Sequence, residues 1–222
     1  VVDENHQIIC SHTQPSDHDF DRAIEALAQS VETVASKAGL KPSDFPCVGV
    51  GIPSSVNPHT KRLVFANTTG WRDVPLGEAL ERRLSLPVYI GNDANCAVIG
   101  EMLAGAAKGR RSVVMLTLGT GVGGGMVVGG KLFTGFANSG MEVGHMIIRP
   151  GGVACTCGNR GCWERYGSAT ALIRITREQM EAHRDSALWE LCGGDLNRVE
   201  GRTPFEGARR GDQAAKQALE EY

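Results

Sequence analysis

The stretch from Val113 to Phe133, VVMLTLGTGVGGGMVVGGKLF, contains most of an uncharged run that extends from Ser112 to Gly130. A run of that length invites a membrane helix, and Gly121 and Gly125 even have the small-xxx-small spacing of paired membrane helices. Seven of its nineteen residues are glycine, however, and each glycine costs a helix about 1 kcal/mol relative to alanine. With valine and threonine on both sides of the cluster, the stretch reads as three strands joined by two glycine turns. The strands are Val113 to Leu118, Met126 to Val128 and Lys131 to Phe133. No transmembrane span is predicted.

The nucleotide-binding motifs inside this stretch fail on context. Gly119, Gly121 and Gly124 satisfy G-x-G-x-x-G, but a dinucleotide fingerprint opens a helix and this one leads into another strand. Gly125 to Lys131 gives G-x-x-x-x-G-K, yet Leu132 stands where a P-loop needs a Ser or Thr for magnesium. What remains is a turn whose glycines let backbone N–H groups converge on an anion, with the Thr117 and Thr120 hydroxyls close by. The same glycines also fit a tight hairpin that merely needs positive φ.

Towards the N-terminus, strands and helices alternate as in an α/β fold. Residues 1–13 read as strand, Asp3-Glu4-Asn5 turn, strand. Phe20, Ile24, Leu27, Val31, Val34 and Ala38 recur at helical spacing, with Asp17 or Asp19 as cap and Gly39 as stop. Cys47 to Ile52 is an apolar run between two prolines and suits a buried strand. Ser54 to Asp73 reads as a long, loop-rich segment. A helix with Leu76, Ala79, Leu80 and Leu84 inward then leads to a strand from Val88 to Ile90, and a further helix opens at Gly91-Asn92-Asp93-Ala94. The second half opens with three strands where the first shows two, so a duplicated architecture predicts one more strand and a glycine loop before Val1. Towards the C-terminus, helices are expected from Ser168 to Glu181, from Ser186 to Cys192, from a Thr203–Glu206 capping box with Pro204 in first position, and from Asp212 onward.

At 222 residues, 41% hydrophobic and 22% charged, the composition is that of a folded globular protein, not a disordered one. Its 23 basic and 25 acidic residues give a net charge of -2, which supplies no footprint for nucleic acid or anionic lipid. No basic-then-apolar leader is visible, so a cytoplasmic address is expected. The chain has no initiator Met, starts inside an apolar stretch and ends in helical register at Tyr222. Further residues are therefore expected on both sides.

Seven cysteines are an odd number. Cys10, Cys47, Cys96 and Cys192 lie among apolar neighbours and read as buried thiols. The other three, Cys155, Cys157 and Cys162, crowd into eight residues, with His145 ten residues before the first. Three thiolates and an imidazole complete a tetrahedral zinc shell, and Gly158 and Gly161 allow tight folding around an ion. A disulfide plus one free thiol is the competing reading. A closed four-ligand site has no open position for substrate, so such a metal would hold a loop rather than activate water.

Asn92-Asp93 sits at a predicted strand end where a helix begins, the place where open α/β sheets bind ligands. An aspartate there also serves as an ordinary helix cap. Glu142, His145 and Glu164 add carboxylates and an imidazole around the cysteine loop, and such groups suit a polyhydroxylated ligand.

Together these residues resemble the ROK family of bacterial sugar kinases and sugar-responsive repressors, within the actin/hexokinase-like superfamily. The likeness runs nearly the whole chain, through Gly49-Val-Gly-Ile-Pro53, Asn67 to Trp71, Asn92-Asp-Ala-Asn95, Thr117-Leu-Gly-Thr-Gly-Val-Gly123, Glu142-Val-Gly-His145 and Cys155-x-Cys157-Gly-x-x-Gly-Cys162-x-Glu164. The Cys-Gly-Asn-Arg-Gly-Cys-Trp-Glu wording is most like the glucokinase branch.

The resemblance implies an α/β, actin/hexokinase-like fold of two ribonuclease H-like lobes, truncated at both ends. The lobes would be residues 1–108 and, with the zinc loop, residues 109–222. It implies transfer of the ATP γ-phosphoryl group to the 6-hydroxyl of glucose or a related hexose, with Asp93 as general base. Asn67, Asn92, Asp93, Glu142, His145 and Glu164 would contact the sugar, and Gly119, Thr120 and Gly121 the nucleotide phosphates. His145, Cys155, Cys157 and Cys162 would hold a structural Zn2+, while Mg2+ would accompany ATP. A homodimer or homotetramer is expected, with no nucleic-acid or membrane partner.

Departures from the family pattern are visible. The first phosphate loop, Asp-x-Gly-Gly-Thr, occurs nowhere in the chain, and the adenosine segment would follow Tyr222. Ser54 replaces a common glycine, and Gly91 a glutamate that often precedes the Asn-Asp pair. The alternative within the family is a sugar-responsive repressor whose DNA-binding module lies outside this chain.

Overall fold

The computed structural model describes residues 1–66 and 69–222, which divide into two compact units. One comprises Val1–Met115 and Gly125–Met141, the other Leu116–Gly124 and Glu142–Tyr222.

The first unit opens with an arm in which the two expected strands reduce to a single bridge, Val2 to Ile8. The Asp3 carboxylate accepts the N–H groups of Asn5 and Gln7 and tightens the turn, while Ile8 and Ile9 stay exposed with no sheet beside them among the described residues. Helix α1 (Phe20–Lys37) follows the expected periodicity. Asp19 caps it by accepting the Arg22 N–H at 3.0 Å, and Gly39 at φ +72° ends it.

Strand β1 (Val48–Ile52) comes next, and then the segment expected to be a loop. It is instead an antiparallel sheet of β2 (Ser55–Asn57), β3 (Arg62–Phe65) and β4 (Arg72–Val74). The Asn57 side chain accepts the N–H groups of His59 and Thr60 and makes the first turn, which lets Val56 and Leu63 bury side by side. The polar turn residues concealed strands only three or four residues long.

Helix α2 (Leu76–Leu84) and strand β5 (Val88–Asn92) complete this region, with β5 parallel to β1 from Val48↔Val88 to Ile52↔Asn92. Ile24, Val56, Leu63, Leu76, Leu80 and Val88 share one core. Burying each of the larger side chains contributes about 1.5–3 kcal/mol. On the surface Arg83 ties α2 to α1 through Glu25 at 2.9 Å and Glu32 at 3.2 Å.

Helix α3 (Asp93–Ala104) leads to a sheet of β6 (Val113–Leu118), β7 (Val122–Val128) and β8 (Lys131–Leu132) in that order. The three-strand expectation holds, but β7 begins at Val122, four residues earlier than the glycines suggested. Gly125 shows why glycine belongs in this strand. A Cβ there would lie 2.6 Å from the Ala94 carbonyl oxygen and 2.8 Å from a Val98 methyl, so only a bare backbone accepts α3 at this distance.

The second unit is mainly helical after its cysteine loop. It contains α4 (Glu164–Gly167), α5 (Ala169–Ala182), α6 (Leu188–Leu191), α7 (Thr203–Arg209) and α8 (Gln213–Glu221) around Met180, Leu188, Cys192, Val199 and Ala215. The capping box expected at Thr203 does not form. The Thr203 hydroxyl turns back to accept the Glu200 N–H at 2.9 Å, and α7 starts at Thr203 itself with no side-chain cap. Asp212 caps α8 through the Ala215 N–H and also accepts the Ala187 N–H and the Ser186 hydroxyl, joining α8 to the segment ahead of α6.

Of the four cysteines expected to be buried only Cys192 is; Cys10 is half-buried, and Cys47 and Cys96 are exposed. Among the described residues no helix is long and apolar enough to cross a membrane.

Candidate functional site

In the first unit the site is built at the carboxyl ends of the parallel pair β1 and β5. Gly51 and Gly91 face one another in that pair, and a Cβ on Gly51 would touch the Asp93 Cα at 3.6 Å. The helix cap here is Asn92, not Asp93. The Asn92 Oδ1 accepts the Asn95 N–H at 3.0 Å and its Nδ2 donates to the Ser54 carbonyl at 3.4 Å. Asp93 is exposed and has one oxygen held by its neighbour's N–H, that of Ala94, at 2.8 Å. Although Cys96 as a whole is exposed, partial desolvation of its sulfur, and after it the Asp93 charge, pushes the Cys96 thiol above its ordinary range.

Asn95, in the first turn of α3, was part of the family motif but received no role in the sequence reading. It is 8% exposed, its Oδ1 has no hydrogen-bond partner, and it lines a cavity of about 300 Å³ with Val56, Asn92, Ile99, Leu132 and Asn138. An asparagine between Ala94 and Cys96 in an otherwise apolar helix was the available signal. Asn67, expected to contact sugar, lies outside the described residues.

The second unit brings together the cysteine loop. His145 ends a single tight turn from Val143, and Gly144 within that turn packs so close to the Val122 carbonyl that no side chain would fit. The loop folds back by bridges between Ile147 and Cys162 and between Ala154 and Arg160. At Gly161, with φ +85°, a Cβ would overlap the Arg149 carbonyl at 1.7 Å.

This fold-back gathers His145, Cys155, Cys157 and Cys162 so that their ligand atoms all lie within 4.8 Å of one another. The His145 Nδ1 is 3.6 Å from the Cys155 Sγ, and the Sγ atoms of Cys157 and Cys162 are 3.6 Å apart. All three cysteines are free thiols. Zinc–sulfur bonds of about 2.3 Å around a tetrahedron give edges of roughly 3.7 Å, so the donor set and its spacing fit one zinc ion.

Beside this loop stands the turn Gly119-Thr120-Gly121, closed by the Gly119 N–H donating to the Gly121 carbonyl at 3.0 Å. Glu164, the first residue of α4, accepts the Val122 N–H at 3.1 Å, and a Cβ on Gly121 would collide with its carboxylate at 2.2 Å. A candidate sugar-binding carboxylate and the candidate phosphate turn thus touch within one unit. Glu142 immediately precedes the Val143–His145 turn, and its carbonyl accepts the His145 N–H at 3.1 Å.

A family model described as ROK family matches residues 1–222. The chain is 37% identical over 223 residues to a glucokinase of Streptomyces coelicolor, covering all of this chain and 69% of that protein. It is 35% identical over 147 residues to the xylose repressor of Bacillus subtilis, covering 64% of this chain and 38% of the repressor. Among solved structures it matches a ROK family glucokinase from Streptomyces griseus in complex with glucose and AMPPNP. The TM-score is 0.85 at 35% identity, over 99% of this chain and 70% of that one.

Proposed function

Because the chain belongs to the ROK family, we propose that it carries sugar- and phosphate-binding machinery of an ATP-dependent hexose kinase. The reaction would move the γ-phosphoryl group of ATP to the 6-hydroxyl of glucose or a related hexose. The fold is the α/β, actin/hexokinase-like one of the ROK glucokinase structures. The observation that carries the reading is the Asp93 carboxylate, which stands exposed at the end of β5 because Asn92 does the capping.

In this reading Asp93 accepts the proton of the attacking sugar hydroxyl. A loose phosphoryl-transfer transition state does not need that proton removed early, so an ordinary carboxylate suffices. Asn67, Asn92, Glu142, His145 and Glu164 hold the other hydroxyls, and Gly119, Thr120 and Gly121 hold the phosphates. Mg2+ bound with ATP would neutralise charge on the phosphates. Zn2+ on His145, Cys155, Cys157 and Cys162 would keep the loop folded and the imidazole oriented, with no chemical step passing through it. A two-lobe division at residue 108, a cytoplasmic address and assembly as a homodimer or homotetramer go with this reading.

The test is Asp93→Asn in the full-length protein. Glucose binding should persist while phosphorylation falls by orders of magnitude, and near-normal turnover would remove Asp93 from the base role. A second reading, a sugar-responsive repressor, is favoured by the likeness to the xylose repressor. It predicts sugar binding with no ATP-dependent phosphorylation even before mutation. A coupled assay across glucose, mannose, fructose and their N-acetylated amines would establish the substrate.

A further inference from the structure

The backbone of the Gly119–Gly121 turn can be accounted for group by group. The Gly119 N–H goes to the Gly121 carbonyl, the Gly119 carbonyl accepts the Ala169 N–H at 2.8 Å, and the Thr120 carbonyl accepts the Thr170 hydroxyl at 2.8 Å. The next amide, Val122, donates to Glu164. Among the described residues, this accounting leaves the N–H groups of Thr120 and Gly121.

Their direction follows from the planarity of the peptide. In a trans peptide the C=O of one residue and the N–H of the next point in opposite directions, and no cis bond is present among the described residues. The Gly119 and Thr120 carbonyls both point at the first turn of α5. The Thr120 and Gly121 N–H groups are therefore turned together to the side away from α5, as successive amides are in an anion-binding nest.

The clamp on the second carbonyl is a chain of hydroxyls whose direction is forced. The Thr170 hydroxyl spends its one proton on the Thr120 carbonyl, so at 2.9 Å from the Ser168 Oγ it accepts. Ser168 in turn accepts the Ala171 N–H at 3.1 Å and is completely buried. The sequence runs from the Ala171 N–H through Ser168 and Thr170 to the Thr120 carbonyl, each bond polarising the next.

We propose that Thr170, backed by Ser168, is a positioning residue for the nucleotide phosphates, setting the Thr120 and Gly121 amides at the angle that receives them. This inference rests on the kinase reading above and adds to it residues that touch neither substrate.

The test uses Thr170→Val, which keeps the shape and removes the hydroxyl, and Thr170→Ser, which restores it. AMPPNP binding by calorimetry and the ATP and sugar KM values are measured for the full-length protein and both variants. Thr170→Val is expected to weaken AMPPNP binding and raise the KM for ATP by about three- to tenfold, the usual range for one lost hydrogen bond. The sugar KM and melting temperature should stay near those of the unmodified protein, and Thr170→Ser should recover most of the loss. Unchanged nucleotide affinity in Thr170→Val, or loss in Thr170→Ser as great as in Thr170→Val, overturns the proposal alone. Absence of AMPPNP binding in the unmodified protein overturns the kinase reading together with it.

Discussion

Cys162 is the most enclosed member of the candidate zinc site, fully buried, with its thiol pushed up to about 12 by burial and then by the adjacent Cys157 and Cys155 groups. Cys157, on the exposed side, is the better position to probe because its replacement opens no hole in the core. Cys157→Ser, or treatment with a chelator, should release close to one zinc per chain and lower the melting temperature, since metal binding and loop folding are linked. A metal-free protein that melts unchanged would show the loop folds on its own. The sequence announced this tetrad because thiols crowded around two glycines have few other uses. It announced neither Ser168 nor Thr170, because hydroxyl residues at a helix start are common and only the Thr120 carbonyl above them gives these two a partner worth noting.

Helix α3 and strand β7 are fitted by subtraction, glycine standing where any side chain would strike the helix. Gly125→Ala is expected to cost about 1–3 kcal/mol, the range for overpacking, read as a lower midpoint in urea, and by displacing the start of α3 to reduce turnover more than Gly100→Ala, whose added methyl meets open space. The start of α8 gives a second check. Asp212→Ala removes a cap and the acceptor of Ala187 and Ser186, so a loss of about 1–2 kcal/mol is expected by thermal melting. Elements with a clear period, such as α1 and α5, were evident in the sequence; β2, β3 and β4 were not. Strands that short carry too few residues to show alternation, and the Asn57 turn that pairs them reads as loop until Val56 and Leu63 are seen to share a core.

Across the molecule, ionisation limits stability on both sides of neutrality. The Asp19 N–H holds Asp17 below the usual carboxylate range, Arg62 does so for Asp73, and Lys61 with the Val88 N–H does so for Glu81. Burial would raise Asp212, but the N–H groups of Ala215 and Ala187 and the Ser186 hydroxyl outweigh it and lower it. A depressed carboxylate contributes stability above its unfolded value and loses it as pH falls through its folded one. Burial in the core of the second unit raises Cys192 instead, and a raised thiol loses its contribution as pH climbs past the unfolded value, roughly 8.5. Melting temperature against pH should show a plateau near neutrality, an acid decline below about pH 4, and an alkaline decline that Cys192→Ala lessens. The division of the chain has a practical corollary for anyone dissecting the gene. A fragment ending at Met141 keeps every residue of the first unit, whereas one starting at Glu142 forfeits Leu116–Gly124, and with it the amide that engages Glu164 and the carbonyl beneath Gly144. A cut after Met141 therefore spares the upstream body and orphans the downstream one, and a cut after Met115 does the reverse.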